Sequence, residues 1–225
     1  YQKLAQFSED IAHELRTPLN NLMGQTQIML SHARTTDELE NLLYSHLEEY
    51  ERLTKLIESM LFIARSEHRE YGLDKKSVNL KQLIKNITDY FDCLIDEREM
   101  SLVIHVMDDL NIVANEIWIQ RAIANLMSNA VLHGKEGGEI TLEVKQNDAD
   151  CVIKIVTHNV FIDEKHLSHL FDRFYQVDES RHKRTQTGGL GLAIVQSIMQ
   201  LHGGSVEVAN QTEGVAFKLI LPRVC

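Results

Sequence analysis

The first 68 residues contain one glycine (Gly24) and one proline (Pro18), and they carry no strand-like alternation. A stretch so poor in chain-breakers has little choice but helix. Its second half tightens the constraint. Leu39, Leu43, His46, Tyr50, Leu53, Ile57, Met60 and Ala64 follow one another at steps of four and three, the spacing of a coiled-coil-like seam. A second stripe, Leu42, Leu56 and Ile63, widens the apolar face beyond a two-stranded seam and implies a four-helix bundle. Two helices from one chain make half of such a bundle, so the pattern calls for a second copy. The break between the helices is expected at 33–38, with Thr36 or Asp37 capping the second helix and acidic residues in its first turn.

After residue 68 the character changes. The segment 69–77, with Gly72 and a polar run, reads as a linker. Helical patterns over 80–97, 117–133 and 189–202 then alternate with strand-like runs at 100–107, 139–145, 151–156, 205–209 and 215–221. The runs at 139–145 and 151–156 flank a turn at 147–150, as in a hairpin. Helices mixed with hairpins predict an α/β sandwich, with the helices on one face of a mainly antiparallel sheet. The expected division is therefore a helical hairpin at 1–68, a linker at 69–77 and an α/β domain at 78–225.

Composition excludes some classes. A formal net charge of -10 is the wrong sign for a nucleic-acid binder. Cys93, Cys151 and Cys225 are far apart and form no CxxC pair, which suggests neither a disulfide framework nor a cysteine zinc site. No apolar run approaches the ~20 residues of a membrane span. The eleven histidines are scattered rather than clustered.

The first helix carries a chemical group of interest. His13 and Thr17 lie four apart on one face, and Glu14 is about 100° round from His13. Pro18 cannot donate to the carbonyl of Glu14, so a bend is expected beside His13. A carboxylate accepting Nδ1–H would leave Nε2 as an unprotonated nucleophile. In the second domain, Asn125 and Asn129 share a helix face, and two amide oxygens on one face suit a hard Mg2+. Gly188, Gly189 and Gly191 lead into an apolar helix, an arrangement that favours phosphate at the helix N-terminus.

Taken in order, these runs resemble the sensor histidine kinases of two-component systems. IAHELRTPL at 11–19 resembles the H box, RAIANLMSNA at 121–130 the N box, FDRFY at 171–175 the F box, and TGGLGLAIV at 187–195 the G2 box. The resemblance spans nearly the whole chain. It implies an all-α dimeric four-helix bundle followed by an ATP-binding α/β sandwich of the gyrase, chaperone and histidine-kinase type. It implies that His13 takes the γ-phosphate of ATP on Nε2, with Glu14 orienting the imidazole as its base. Thr17 would hold the water that removes phosphate from a partner's aspartate. Asn125 and Asn129 would hold Mg2+ with the ATP phosphates, and Arg173 would reach those phosphates. Gly189 and Gly191 match the G2 pattern, whose first glycine is replaced by Thr187. The polar stretch 176–186 stands where the family has its ATP lid. Partners implied are a second copy and a response-regulator receiver domain, in the cytoplasmic portion of a sensor anchored in a bacterial inner membrane through a region outside this chain. The flanking runs FSEDIAH at 7–13 and LFDRFYQVDESR at 170–181 most resemble the metal-responsive subgroup.

One box departs from the pattern. Most members carry Asp-x-Gly-x-Gly, whose Asp holds the adenine amino group. Counting back from Ile162, that Asp slot falls on Thr157, and the glycine slots on Asn159 and Phe161. A one-residue gap would place His158 in the Asp slot instead. Phe161 is expected to crowd the backbone there. Leu132 replaces a residue often basic in the family, and His133 takes an aromatic slot, where the resemblance implies a contact to nucleotide. Weakened or unusual ATP affinity is therefore expected. Two alternatives to an active kinase follow: a degenerate kinase serving as dimeric scaffold or phosphatase through Thr17, and an ATPase of the related gyrase and chaperone superfamily. Asn125, where those ATPases carry a catalytic Glu, speaks against the last.

Overall fold

A computed structural model describes residues 2–67, 72–107, 110–177 and 188–223, with the backbone alone for 2–8, 10 and 67. Within these bounds the chain divides into two compact units, 2–61 with 188–190, and 62–177 with 191–223.

The first unit is a helical hairpin. Helix α1 (Gln2–Leu30) continues through Pro18, and α2 (Thr36–Glu67) starts the second arm. The cap of α2 lies one residue ahead of the expected Thr36 or Asp37. Glu38 Oε2 accepts from Thr35 N–H at 2.9 Å, and Thr35 Oγ1 accepts from Glu38 N–H at 3.3 Å. Thr35 wins because Glu38 stands three residues after it, which closes a reciprocal capping box. Asp37 and Glu38 then occupy the first turn, at the positive end of the helix dipole.

The long seam of α2 is split by the fold. Leu56 and Met60 are buried, and so are the polar His46 and Glu49, whereas Leu39, Leu43, Tyr50 and Ile57 remain exposed. Leu47 and Leu61 are exposed as well. Within the first unit Leu43, Leu47, Tyr50, Thr54, Ile57 and Leu61 thus continue the four-three spacing on a solvent-facing stripe.

The second unit begins inside α2. The Phe62 ring packs 4.4 Å from that of Trp118, and the Arg121 guanidinium lies 4.9 Å over Phe62. Its elements are β1 (Lys76–Asn79), α3 (Leu80–Glu97), β2 (Ser101–His105), β3 (Asn111–Ala114), α4 (Glu116–His133), β4 (Glu139–Gln146), β5 (Asp150–His158), α5 (Glu164–Leu167), α6 (Gly191–Leu201), β6 (Ser205–Gln211) and β7 (Gly214–Pro222). Five strands form one sheet in the order β2-β4-β5-β7-β6. The β2–β4 pair is parallel and the others are antiparallel.

Strands β1 and β3 form a separate antiparallel pair with Lys76 opposite Ala114. This pair was not foreseen, and it takes Lys76 and Ser77 out of the expected linker. Of the remaining linker residues, 72–75 are irregular and 69–71 lie outside the described residues. The pair brings Asn79 and Asn115 to the starts of α3 and α4. There the Asn79 side chain accepts from Gln82 N–H and that of Asn115 from Trp118 N–H.

Strand alternation sets the layers. Ile140, Leu142 and Val144 of β4, Cys151, Ile153, Ile155 and Thr157 of β5, and Val215, Phe217, Leu219 and Leu221 of β7 are all buried. These period-2 sets face the helices, and α4 packs on β5 and against α3 and α6. Ile119, Ala122, Ile123, Leu126, Met127 and Ala130 form the buried face of α4.

Candidate functional site

His13 and Thr17 are both exposed on α1, one turn apart, and Glu14 beside them is half-buried. Pro18 is buried. The nucleophile candidate is therefore open to approach, while its carboxylate neighbour is partly withdrawn from water.

In the second unit, α4 carries Asn125, Asn129 and His133 at steps of four. The three span about 12 Å of helix at 1.5 Å per residue. Asn125 and Asn129 are half-buried and His133 is exposed. The Asn125 Nδ2 atom is buried, with no hydrogen-bond partner among the described residues. A buried amide left unsatisfied costs free energy, which makes this N–H group a candidate donor to a bound ligand.

The two readings of the Asp slot are separated by strand register. Thr157 stands opposite Ile140 and Val215, and it is 4 % exposed on the helix-facing side. His158, one residue on, belongs to the opposite face, where its Nε2 lies 2.9 Å from Thr141 Oγ1 and 3.4 Å from Glu139 Oε1. The ungapped placement, with Thr157 in the slot, is the one that points toward α4's side of the sheet.

The glycine slots are occupied in two different ways. Asn159 adopts φ +56°, with its N–H donating to the Glu213 carbonyl at 2.8 Å. Asparagine is among the few L residues that accept this left-handed geometry at modest cost. Phe161, expected to crowd the backbone, has its side chain 60 % exposed. The segment behind it is clamped by Asn210, whose Oδ1 accepts from Ile162 N–H at 3.0 Å and whose Nδ2 donates to the Ile162 carbonyl at 2.6 Å.

Gly188 and Gly189 take φ +53° and +79°, and Gly191 opens α6 rather than Gly189, which had been expected to start the helix. The first turn of α6 leaves main-chain N–H groups without helical acceptors, as an anion site requires. Thr187 and lid residues 178–186 lie outside the described residues.

Arg173 is set apart from the α4 row. It lines an open cleft of about 970 Å3 with Lys75, Gln196, Gln200 and Phe171, and no residue of α4 takes part in that lining. Phe171 stacks edge-on to Phe217 at 6.5 Å, so this ring is tied to the core. Behind the cleft, buried His202 joins α6 to the start of α4. Its Nε2 accepts from Asn115 N–H at 3.1 Å, and its Nδ1 lies 2.8 Å from the Ile198 carbonyl. That pairing specifies the neutral ring, and burial lowers its pKa below the ordinary 6.5, with nearby Lys75 acting in the same direction against the Ile198 bond.

Residues 3–69 match the family profile described as the His Kinase A (phospho-acceptor) domain, and residues 114–224 that of the Histidine kinase-, DNA gyrase B-, and HSP90-like ATPase. Sensor protein CzcS of Cupriavidus metallidurans is 44% identical over 214 residues, covering 95% of this chain and 44% of that protein. The chain belongs to the sensor histidine kinases of two-component systems.

Among solved structures, the Acinetobacter baumannii histidine kinase AdeS superposes with a TM-score of 0.80 at 21% identity, covering 95% of this chain and 98% of that one. The histidine kinase ThkA, in a complex with response regulator protein TrrA, gives 0.78 at 22% identity, over 98% of this chain and 62% of that one. These two establish the kinase fold. The chain spans less than half the length of the curated kinases it matches. No helix among the described residues is long and apolar enough to cross a membrane.

For such a kinase the residues present fit a nucleotide with its metal. Within the second unit, the orphaned Asn125 amide, the inward-facing Thr157 and the open first turn of α6 at Gly191 are features that a bound nucleotide would use. Sequence reasoning missed Asn210 and His202, because each acts on a backbone group far away along the chain.

Proposed function

We propose that the chain phosphorylates its own His13 from ATP and passes the phosphoryl group to an aspartate of a response-regulator receiver domain, and that it also acts as a phosphatase on that regulator. The carrying observation is the coexistence, in one chain, of an exposed His13–Thr17 pair on α1 and an Asn125–Asn129–His133 row on α4 with an orphaned buried amide.

ATP supplies the transferable phosphoryl group and Mg2+ offsets its charge. His13 Nε2 is the nucleophile, Glu14 orients the ring and draws on its Nδ1 proton, and Thr17 positions water for dephosphorylation. Asn125 and Asn129 hold the metal through their amide oxygens, and His133 lends a contact at the end of the row. Thr157 accepts from the adenine amino group, and Gly189 and Gly191 free main-chain N–H groups toward the phosphates; the phosphate contact expected of Arg173 is not retained, because its cleft holds no residue of α4. The phosphotransfer domain is taken as 1–68 and the catalytic domain as 78–225, with 62–67 of α2 shared in its packing. The exposed stripe from Leu43 to Leu61 supports a homodimer closing a four-helix bundle. Relatives more than twice as long support a cytoplasmic portion of a membrane-anchored sensor, and the flanking runs a metal-responsive one.

The test is incubation with γ-labelled ATP and Mg2+, which should give an acid-labile, base-stable label absent from His13→Gln. Nucleotide binding without any label on the wild type would refute the kinase reading. A second reading, a degenerate kinase acting mainly as phosphatase, is favoured by the uncharged Thr157 in the adenine slot. It predicts dephosphorylation of a receiver that is lost in Thr17→Ala while labelling is absent throughout.

A further inference from the structure

The C-terminal end of α4 is held by a residue from another element. Arg98 follows α3, and among the described residues its guanidinium hydrogen bonds go to main-chain carbonyls. Nη1 donates to Val131 O and, at 2.9 Å, to Leu132 O, while Nη2 donates to Gly134 O at 2.9 Å. Gly134 N–H covers Ala130 O at 2.9 Å. Carbonyls in the last turn of a helix have no intrahelical donors, so Arg98 satisfies two of the carbonyls that α4 itself leaves open. Arg98 is itself fixed, because its own carbonyl accepts from Gly137 N–H at 3.0 Å.

Gly134 does not end α4 with the left-handed turn that commonly satisfies such carbonyls; its backbone is extended, at φ -60° and ψ 157°. A side chain at Gly134 would run into Met100 Cε and the Ala130 carbonyl, so only glycine fits this extended departure, which leaves the helix end open. Arg98 fills that role. It also places a fixed positive charge at the negative end of the α4 dipole, at the His133 end of the Asn125–Asn129–His133 row.

We infer that Arg98 is a positioning residue of the nucleotide site, fixing the last turn of α4 and cancelling its negative end so that the row accepts a triphosphate. This rests on the proposed nucleotide role of that row. It is independent of Arg173, which lines a cleft free of α4 residues.

The test compares the full chain with Arg98→Ala and Arg98→Lys. Three quantities are read: the KM and kcat for His13 labelling, the dissociation constant for MgATP, and amide hydrogen exchange at 130–134 without nucleotide. Expected for Arg98→Ala is a rise of about tenfold in KM and in the dissociation constant, with kcat nearly unchanged and faster exchange at 130–134. Arg98→Lys keeps the charge without the fork and should recover part of the affinity but not the exchange protection. Added guanidinium at low millimolar concentration should lower the KM of the alanine variant alone. An alanine variant that is folded with wild-type KM and exchange overturns the inference. So does an equal loss of kcat and of folded fraction with KM unchanged, which is what mere destabilisation gives. Faster exchange in Arg98→Ala with no nucleotide binding by the wild type would leave the cap standing and refute both the nucleotide reading and this role.

Discussion

The two units solve the burial problem in opposite ways. In the second unit, both faces of the problem are met within one chain: the inner residues of β4, β5 and β7 are covered by α3, α4 and α6, and the helix starts are capped by Asn79 and Asn115. In the hairpin, His46 and Glu49 are buried while Leu43, Leu47, Tyr50, Ile57 and Leu61 face water, and His46 Nε2 is buried without a hydrogen-bond partner among the described residues. An exposed apolar stripe at heptad spacing is a surface waiting for its complement. The α/β unit therefore covers its own core, while the hairpin leaves an apolar stripe in water.

The strongest way to break that contrast is to charge the stripe. Leu43→Glu with Ile57→Glu should abolish association, with each change costing at least about 2 kcal/mol of dimer stability. Sedimentation would show monomers, and helical signal would fall while nucleotide binding persists. A dimer that survives both charges would mean that the stripe is not the interface.

The complementary change removes core from the α/β unit. Ile123 is fully buried on α4, and Ile123→Ala should cost about 2–5 kcal/mol. Thermal unfolding followed at Trp118 should shift down, with the association state kept.

Acid should then act on the α/β unit through His202. Its folded pKa is lowered by burial, so the neutral ring stabilises the fold at pH above its ordinary 6.5, and that contribution is lost as pH falls through the folded value. Melting temperature measured from pH 7.5 down to 5 should drop, and it should drop less steeply in His202→Gln, which keeps an acceptor for Asn115 without a titratable ring.

The smallest effect belongs to the loop of the hairpin. Thr35→Ala removes the capping box with Glu38 and should cost about 1 kcal/mol, read as a modest loss of helix stability by circular dichroism. A loss several times larger would show that the 33–35 turn does more than cap.

Long periodic elements were readable in advance because periodicity is local: α3, α4, β4, β5 and the β6–β7 pair each announce themselves within their own residues. Strands β1 and β3 were not, since four residues apiece give too few alternations to stand out, and their pairing joins Lys76 to Ala114 across the whole of α3. The split of the α2 seam was hidden for the same reason, because which stripe is covered depends on a partner helix. At the site, the His13 run and the α4 amides were legible as motifs. Which of Thr157 and His158 faces the helices was not, because it turns on strand parity against Ile140 and Val215. Arg98 could not be found from the sequence at all: its partners are backbone carbonyls more than thirty residues away, and a carbonyl leaves no signature in residue type.

The packing of Phe62 on Trp118 bears on how this protein can be cut for laboratory use. A recombinant fragment that starts at 78 would lose Lys76 and Ser77 of β1 and strip Trp118 and Arg121 of the ring they enclose. It would present a fresh greasy surface to its neighbours in the tube, and its poor behaviour would be mistaken for instability of the kinase itself. A fragment that begins at 62 or earlier retains its own lid over that indole, and is the piece with which isolated-domain nucleotide titrations should be done.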